Sequence, residues 1–337
     1  MTTDLSFNSA PRVVSWRPIV RVVAMAIAAL ACGSPLAVEE FPLPRSKVFP
    51  HDPAVGRDGI VWYTDQANSY IGRLDPATGK VTDYETPTPG SGPHGITVAP
   101  DGGVWYTANR VGKLGRLDPA TGKITEYAID ARDPHTLVVN KGLVWFTVQG
   151  GNQYGTLDPA TGKSRVWEVA TPNAKPYGIV PTAQGDLWVA LFGTNKLGHI
   201  VGATGELHEI ALPNAGARPR RLAVGNDGRV WYTDYARGFL GVVDPATQQM
   251  REFASPGGAR SGPYGIAIGT VGRIWYDESG TSTMVAFDPK TARMETVAIP
   301  TKGAIVRHMV TDSTRSTLWL ALSGTGRIGR IKLPGAK

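Results

Sequence analysis

The stretch "GPHGITVAPDGGVWYTA", residues 92–108, is written again with few changes as "GPYGIAIGTVGRIWYDE", residues 262–278. A second phrase, "LGRLDPATGK" at 114–123, also recurs. Repetition at a fixed period marks an array of like units, each too small to bury its own apolar face. One tryptophan per unit sets the alignment: Trp62, Trp105, Trp145, Trp188, Trp231, Trp275 and Trp319, spaced by 43, 40, 43, 43, 44 and 44 residues.

Each unit reads as four strands. In the second, "GITVAP" is followed by an Asp101-Gly102 turn, "GVWYTA", "KLGRLD", a "PATG" turn and "KITEYAI". Pro presets φ, Gly accepts positive φ, and Asp bonds its own backbone. The β-branched and aromatic residues between the turns suit strands. Seven four-stranded units of this period predict an all-β, seven-bladed β-propeller. The tryptophans are expected as core between blades. The "DPATG" loops are expected as turns, since each offers one Asp where a calcium loop needs several oxygen ligands.

The seventh unit ends after "RIGRIKLP", Arg327–Pro334, without a fourth strand. The segment "VEEFPLP", Val38–Pro44, has the fourth-strand pattern. It is expected to pair with the last blade and fasten the ring, so that residues 38–337 form one propeller domain.

Residues 1–31, or as far as 37, read as an export signal. Arg17 and Arg21 precede the apolar run "VVAMAIAALAC", Val22–Cys32, which is too short to span a bilayer. Ala29-Leu30-Ala31 supplies small residues for cleavage, and Cys32 at the cut suggests lipid attachment. The alternative is ordinary cleavage, with Ala37 as a candidate site. The expected location is therefore periplasmic or extracellular, with no transmembrane span. Cys32 is the single cysteine, so the domain holds no disulfide. The net charge of +7 is spread along the chain, without the Lys/Arg run of a nucleic-acid binder.

Topology puts the start of each first strand beside the end of each second strand, on one upper face. Counting eleven residues back from each tryptophan (ten in the third unit) gives His51, His94, His135, Tyr177, Arg220, Tyr264 and His308, flanked by Arg221 and Arg307. Four of the six histidines fall on this one position, where imidazole can act as acid, base or metal ligand. The alternative is that His is a strand-start hydrogen bonder inherited with the repeat. Past the tryptophans, Asp65, Asp234 and Glu278 are candidate ligands for a divalent cation, or partners of nearby arginines.

The repeat "PHGITVAPDGGVWYTA…KLGRLDPATGKITEYAI" resembles that of the virginiamycin B lyase (streptogramin B lyase) family, and the likeness covers residues 38–334. It implies a monomeric, Mg²⁺-dependent lyase that opens a cyclic depsipeptide by elimination across an ester C–O bond. The metal would polarise the ester carbonyl and a histidine would move the proton. On this resemblance His308 matches the catalytic histidine. The family's metal-binding glutamates fall on Val306 and on Leu322 or Ser323, and its second histidine falls on Tyr264. Valine and leucine offer magnesium no oxygen, leaving Glu278 as the nearest substitute. The competing expectation is a non-catalytic binding propeller that takes a small molecule or peptide at the same axial mouth. The altered glutamate positions and the leader favour it.

Overall fold

The computed structural model describes residues 36–335. The expected leader over 1–31 and Cys32 lie outside them. Of seven four-stranded antiparallel sheets, six run in sequence order from first strand to fourth, and the seven first strands contact one another in a closed ring about an axis. Blade two, for example, comprises Pro93–Val98, Val104–Ala108, Lys113–Leu117 and Ile124–Ala128. Helix among the described residues is limited to four 3-10 turns, and no helix there is long and apolar enough to cross a membrane.

Blade seven is built from both ends of the chain. Glu39–Pro42 pairs antiparallel with Arg327–Lys332, Glu39 opposite Arg330 and Pro42 opposite Arg327. A repeated latch shows that this segment replaces a fourth strand. In blade two, Glu126 accepts from the Thr88 amide and hydroxyl and from Lys113 Nζ. In blade four, Glu209 does the same with Thr171 and Lys196. In blade seven the carboxylate is Glu40, held by Thr301 and Arg327.

The seven repeat tryptophans are at most 4% exposed and sit in apolar clusters between neighbouring blades. At about 25 cal/mol per Å² and roughly 200 Å² buried, each indole contributes on the order of 5 kcal/mol against an extended chain. The glycine of "LGRL" serves the same packing: a Cβ on Gly115 would lie 2.0 Å from the Tyr106 ring. The "DPATG" loops are turns, as expected. Asp118 accepts from Ala120 N at 2.9 Å and Thr121 Oγ1 at 3.0 Å.

Every first strand carries a bulge just after its opening residue. A bulge leaves one amide out of the ladder and re-aims the side chain beside it. A threonine two residues past the repeat tryptophan takes up that amide in several blades. Thr107 Oγ1 accepts from Gly95 N (2.8 Å) and donates to His135 O of the next blade (2.9 Å). Thr64, Thr147 and Thr233 form the same relay.

Blade six has Asp277 there. It accepts from Gly265 N at 2.6 Å and from Ser279 Oγ at 2.7 Å, and burial raises its pKa to about 7. A carboxyl whose folded pKa is raised from 3.8 contributes fully below that value, and the contribution is lost as pH rises toward 7. Asp277→Thr restores the hydroxyl relay without a buried charge. It is expected to raise stability by about 1–3 kcal/mol at pH 8, less at pH 5, in paired thermal melts. A variant no more stable than the parent at pH 8 refutes this account of Asp277.

Candidate functional site

The residues after the bulge converge on the axis as two tiers. The upper tier is His51, His94, His135, Tyr177, Arg220, Tyr264 and Arg307. The last member departs from the sequence expectation. Pro50, Pro93, Pro134, Pro176, Pro219 and Pro263 open the first six first strands, and in register terms Val306 is their counterpart, opposite Leu322. Arg307 therefore fills the seventh slot, and His308 lies one residue deeper. The cause is hairpin length. The last blade's turn closes from Asp312 N to Thr317 O, one residue longer than the Ala99-to-Gly103 type elsewhere. The count back from Trp319 is shifted accordingly.

The three histidines of the upper tier stack side by side. Ring centroids are 3.6 Å apart for His51–His94, 3.8 Å for His94–His135 and 4.0 Å for His135–Tyr177. All three are about 4% exposed. Their pKa values lie well below the ordinary 6.5, first because burial penalises the imidazolium. For His51 the arginines 221, 307 and 220 add to this, and for His94 its neighbour His51 does. The stack is neutral at pH 7. The Tyr177 and Tyr264 hydroxyls hydrogen-bond each other across the axis.

The lower tier is where blades one and five meet. Asp52 and Arg221, each 1% exposed, form an ion pair with Arg221 Nη2 at 2.8 and 3.0 Å from the two carboxylate oxygens. His51 Nδ1 donates to Asp52 Oδ1 at 2.8 Å, and Arg221 Nη1 reaches Thr136 Oγ1 at 3.3 Å. At two of the three lower-tier glycines, Gly95 and Gly178, the neighbouring first strand lies too close for a side chain. A Cβ on Gly95 would lie 2.7 Å from His135 O. Beneath the upper tier runs a cavity of about 300 Å³, lined by Asp52, Thr136, Arg221, His308 and apolar residues further along the first strands. Burial lowers the His308 pKa to about 3, and its Nδ1 has no partner among the described residues.

The three candidate metal carboxylates are not brought together. Asp65 accepts from Phe49 N (3.1 Å) and Asn68 Nδ2 (2.7 Å), with Arg45 at 3.9 Å. Asp234 takes Arg218 N (2.9 Å) and Arg237 Nε (2.6 Å). Glu278 takes Gly257 N (2.7 Å) and Thr281 Oγ1 (2.9 Å). Each ties down the loop entering its own blade. Among the described residues, the His, Asp and Glu ligand atoms that do gather within 4.8 Å are those of His51, Asp52 and His94. That set does not fit magnesium, which takes near-octahedral oxygen ligands. Two of its members are imidazoles, and the third has both oxygens on Arg221.

Residues that counting within repeats did not single out complete the upper rim. Phe49, Phe192 and Tyr235 surround Tyr264 and the arginines; Arg220 Cζ is 3.8 Å from the Tyr264 ring, 4.3 Å from Tyr235 and 4.8 Å from Phe192. Each lies just outside a strand end, Phe49 before Pro50, Phe192 after Leu191 and Tyr235 after Asp234.

The chain's relatives share this frame. A streptogramin B lyase structure superposes with a TM-score of 0.82 at 26% identity, covering 88% of this chain and 98% of that one. A catalytically inactive histidine-to-alanine variant of virginiamycin B lyase from Staphylococcus aureus, with quinupristin, gives 0.82 and 26% over 89% and 100%. Hydrazine synthase from Kuenenia stuttgartiensis, at 12% identity and a TM-score of 0.76 over 88% and 98%, shares the fold alone. No curated protein sequence matches. The model of the virginiamycin B lyase family matches residues 32–200 and 163–337. With that match spanning the seven blades and their closing strand, the chain belongs to the virginiamycin B lyase family.

Proposed function

We propose that this member of the family is a non-catalytic binding propeller, which takes a small molecule or peptide at its upper axial mouth. The observation that carries the reading is the register of the last blade. It presents Val306 and Leu322 where the family resemblance calls for metal carboxylates, and it places Arg307 rather than His308 in the upper tier. His308, displaced into the axial cavity with a pKa of about 3, is a weak proton acceptor near neutral pH. Export through the leader of residues 1–31, with Cys32 as a lipid attachment point or cleavage near Ala37, belongs to the same proposal. So does action as a monomer.

The competing reading is a C–O lyase acting on a cyclic depsipeptide or lactone, with His308 as base and Mg²⁺ held near Glu278, Asp65 or Asp234. It draws support from 26% identity to a streptogramin B lyase over nearly the whole chain. The deciding experiment incubates the protein with quinupristin and excess Mg²⁺ and follows ring opening by mass spectrometry. No linear product is expected, even at high protein concentration. Magnesium-dependent turnover that disappears in His308→Ala overturns the binding reading.

A further inference from the structure

The axis carries more positive charge than the protein neutralises. Arg220, Arg221 and Arg307 meet there, and Asp52 is the carboxylate that pairs with one of them. Among the described residues, neither Arg220 nor Arg307 has a carboxylate oxygen within 4.0 Å. The one hydrogen bond of the Arg220 guanidinium among the described residues is to the Tyr177 hydroxyl, at 3.3 Å. Asp277 acts on Arg220 from a distance, but burial raises its own pKa to about 7, so it is only partly ionised at neutral pH. Among the described residues, the buried Nε atoms of Arg220, Arg221 and Arg307 have no hydrogen-bond partner, nor does His308 Nδ1. Buried donors without acceptors are rare and call for an explanation.

The surroundings of Arg220 and Arg307 narrow the explanation. Their guanidinium carbons lie 3.8 and 5.8 Å from the same Tyr264 ring, one on the Phe192–Tyr235 side and one toward Phe49. Tyr235 is 38% exposed. A planar guanidinium offers paired N–H donors to a carboxylate. The aromatic faces offer a wall to a flat or apolar group. We infer that the upper mouth binds a monoanionic ligand that carries its carboxylate next to an aromatic or apolar group, such as the C-terminal residue of a peptide, with Arg220 and Arg307 on the carboxylate. The inference rests on the binding reading above and names its ligand class.

The test uses N-acetylphenylalanine and its neutral amide, titrated into the full chain by calorimetry, with Arg307→Gln and Arg220→Gln alongside. Arg307 makes the fewer contacts, so its variant guards against a folding defect, and both variants are checked by thermal melt. The acid is expected to bind at least about 10-fold tighter than the amide, and to lose about 10-fold or more in Arg307→Gln. Affinity should fall with added salt. Equal binding of acid and amide, unchanged affinity in a folded Arg307→Gln, or no binding of the acid at 10 mM (roughly the weakest affinity of interest) overturns the inference. Those outcomes leave the binding reading standing, whereas magnesium-dependent opening of quinupristin removes that reading itself.

Discussion

A chain begun at Pro44, lacking the closing strand, is expected to lose cooperative unfolding or to melt at least about 15 °C below a chain begun at Leu36. The segment removed contains Val38 (6% exposed) and Leu43 (8%), and Phe41, whose ring lies 5.9 Å from that of Trp319. At about 1.5–3 kcal/mol for each buried apolar side chain, burial alone is on the order of 5 kcal/mol or more. That rivals the entire net stability of a typical domain, about 5–15 kcal/mol. The Glu40 latch to Thr301 and Arg327 goes with it, and the third strand of blade seven becomes an exposed edge open to pairing with other chains. Circular dichroism melts and size-exclusion chromatography of the two chains decide the matter. Equal melting temperatures would mean that blade seven holds without its outer strand.

Acidification is expected to destabilise the protein steeply. A histidine held neutral has a folded pKa below its unfolded value near 6.5. Its contribution is complete above pH 6.5 and is lost as pH falls toward the folded value. Each of His51, His94, His135 and His308 then costs about 1.4 kcal/mol per pH unit below 6.5. Asp277 slopes the other way between pH 7 and 4 and offsets about one of the four. The net expectation is a fall of about 10 °C in melting temperature between pH 7.5 and 5.5. His94→Gln should flatten the slope by about one histidine's share. A melting temperature constant across that range would place the imidazoles in contact with water.

The architecture was legible because it rests on local signals. Trp at a steady period, Asp-Gly and Asp-Pro turns and "KITEYAI"-type strands each act within one unit, and the stray strand at Val38–Pro44 matched its siblings. The site was only partly legible. Counting from the tryptophan survived the shortened hairpin of blade three because Pro134-His135 marks the slot. It failed in blade seven, where Val306-Arg307-His308 has no proline and the turn is longer. The Asp52–Arg221 pair joins residues 169 apart across the axis, and no pattern inside a repeat announces it. The fate of Asp65, Asp234 and Glu278 was set by loop amides such as those of Phe49, Arg218 and Gly257, whose approach depends on tertiary packing.

Glu39 faces Arg330 across 291 positions of sequence. A nascent polypeptide emerging N-terminus first therefore exposes its outermost strand long before the matching strand has been synthesised. Early blades can collapse as they appear, but annular closure waits for Arg327–Lys332. Until that strand has been made, the molecule is an open arc with two unsatisfied borders, and it is in this interval that capture by a chaperone would meet the least resistance.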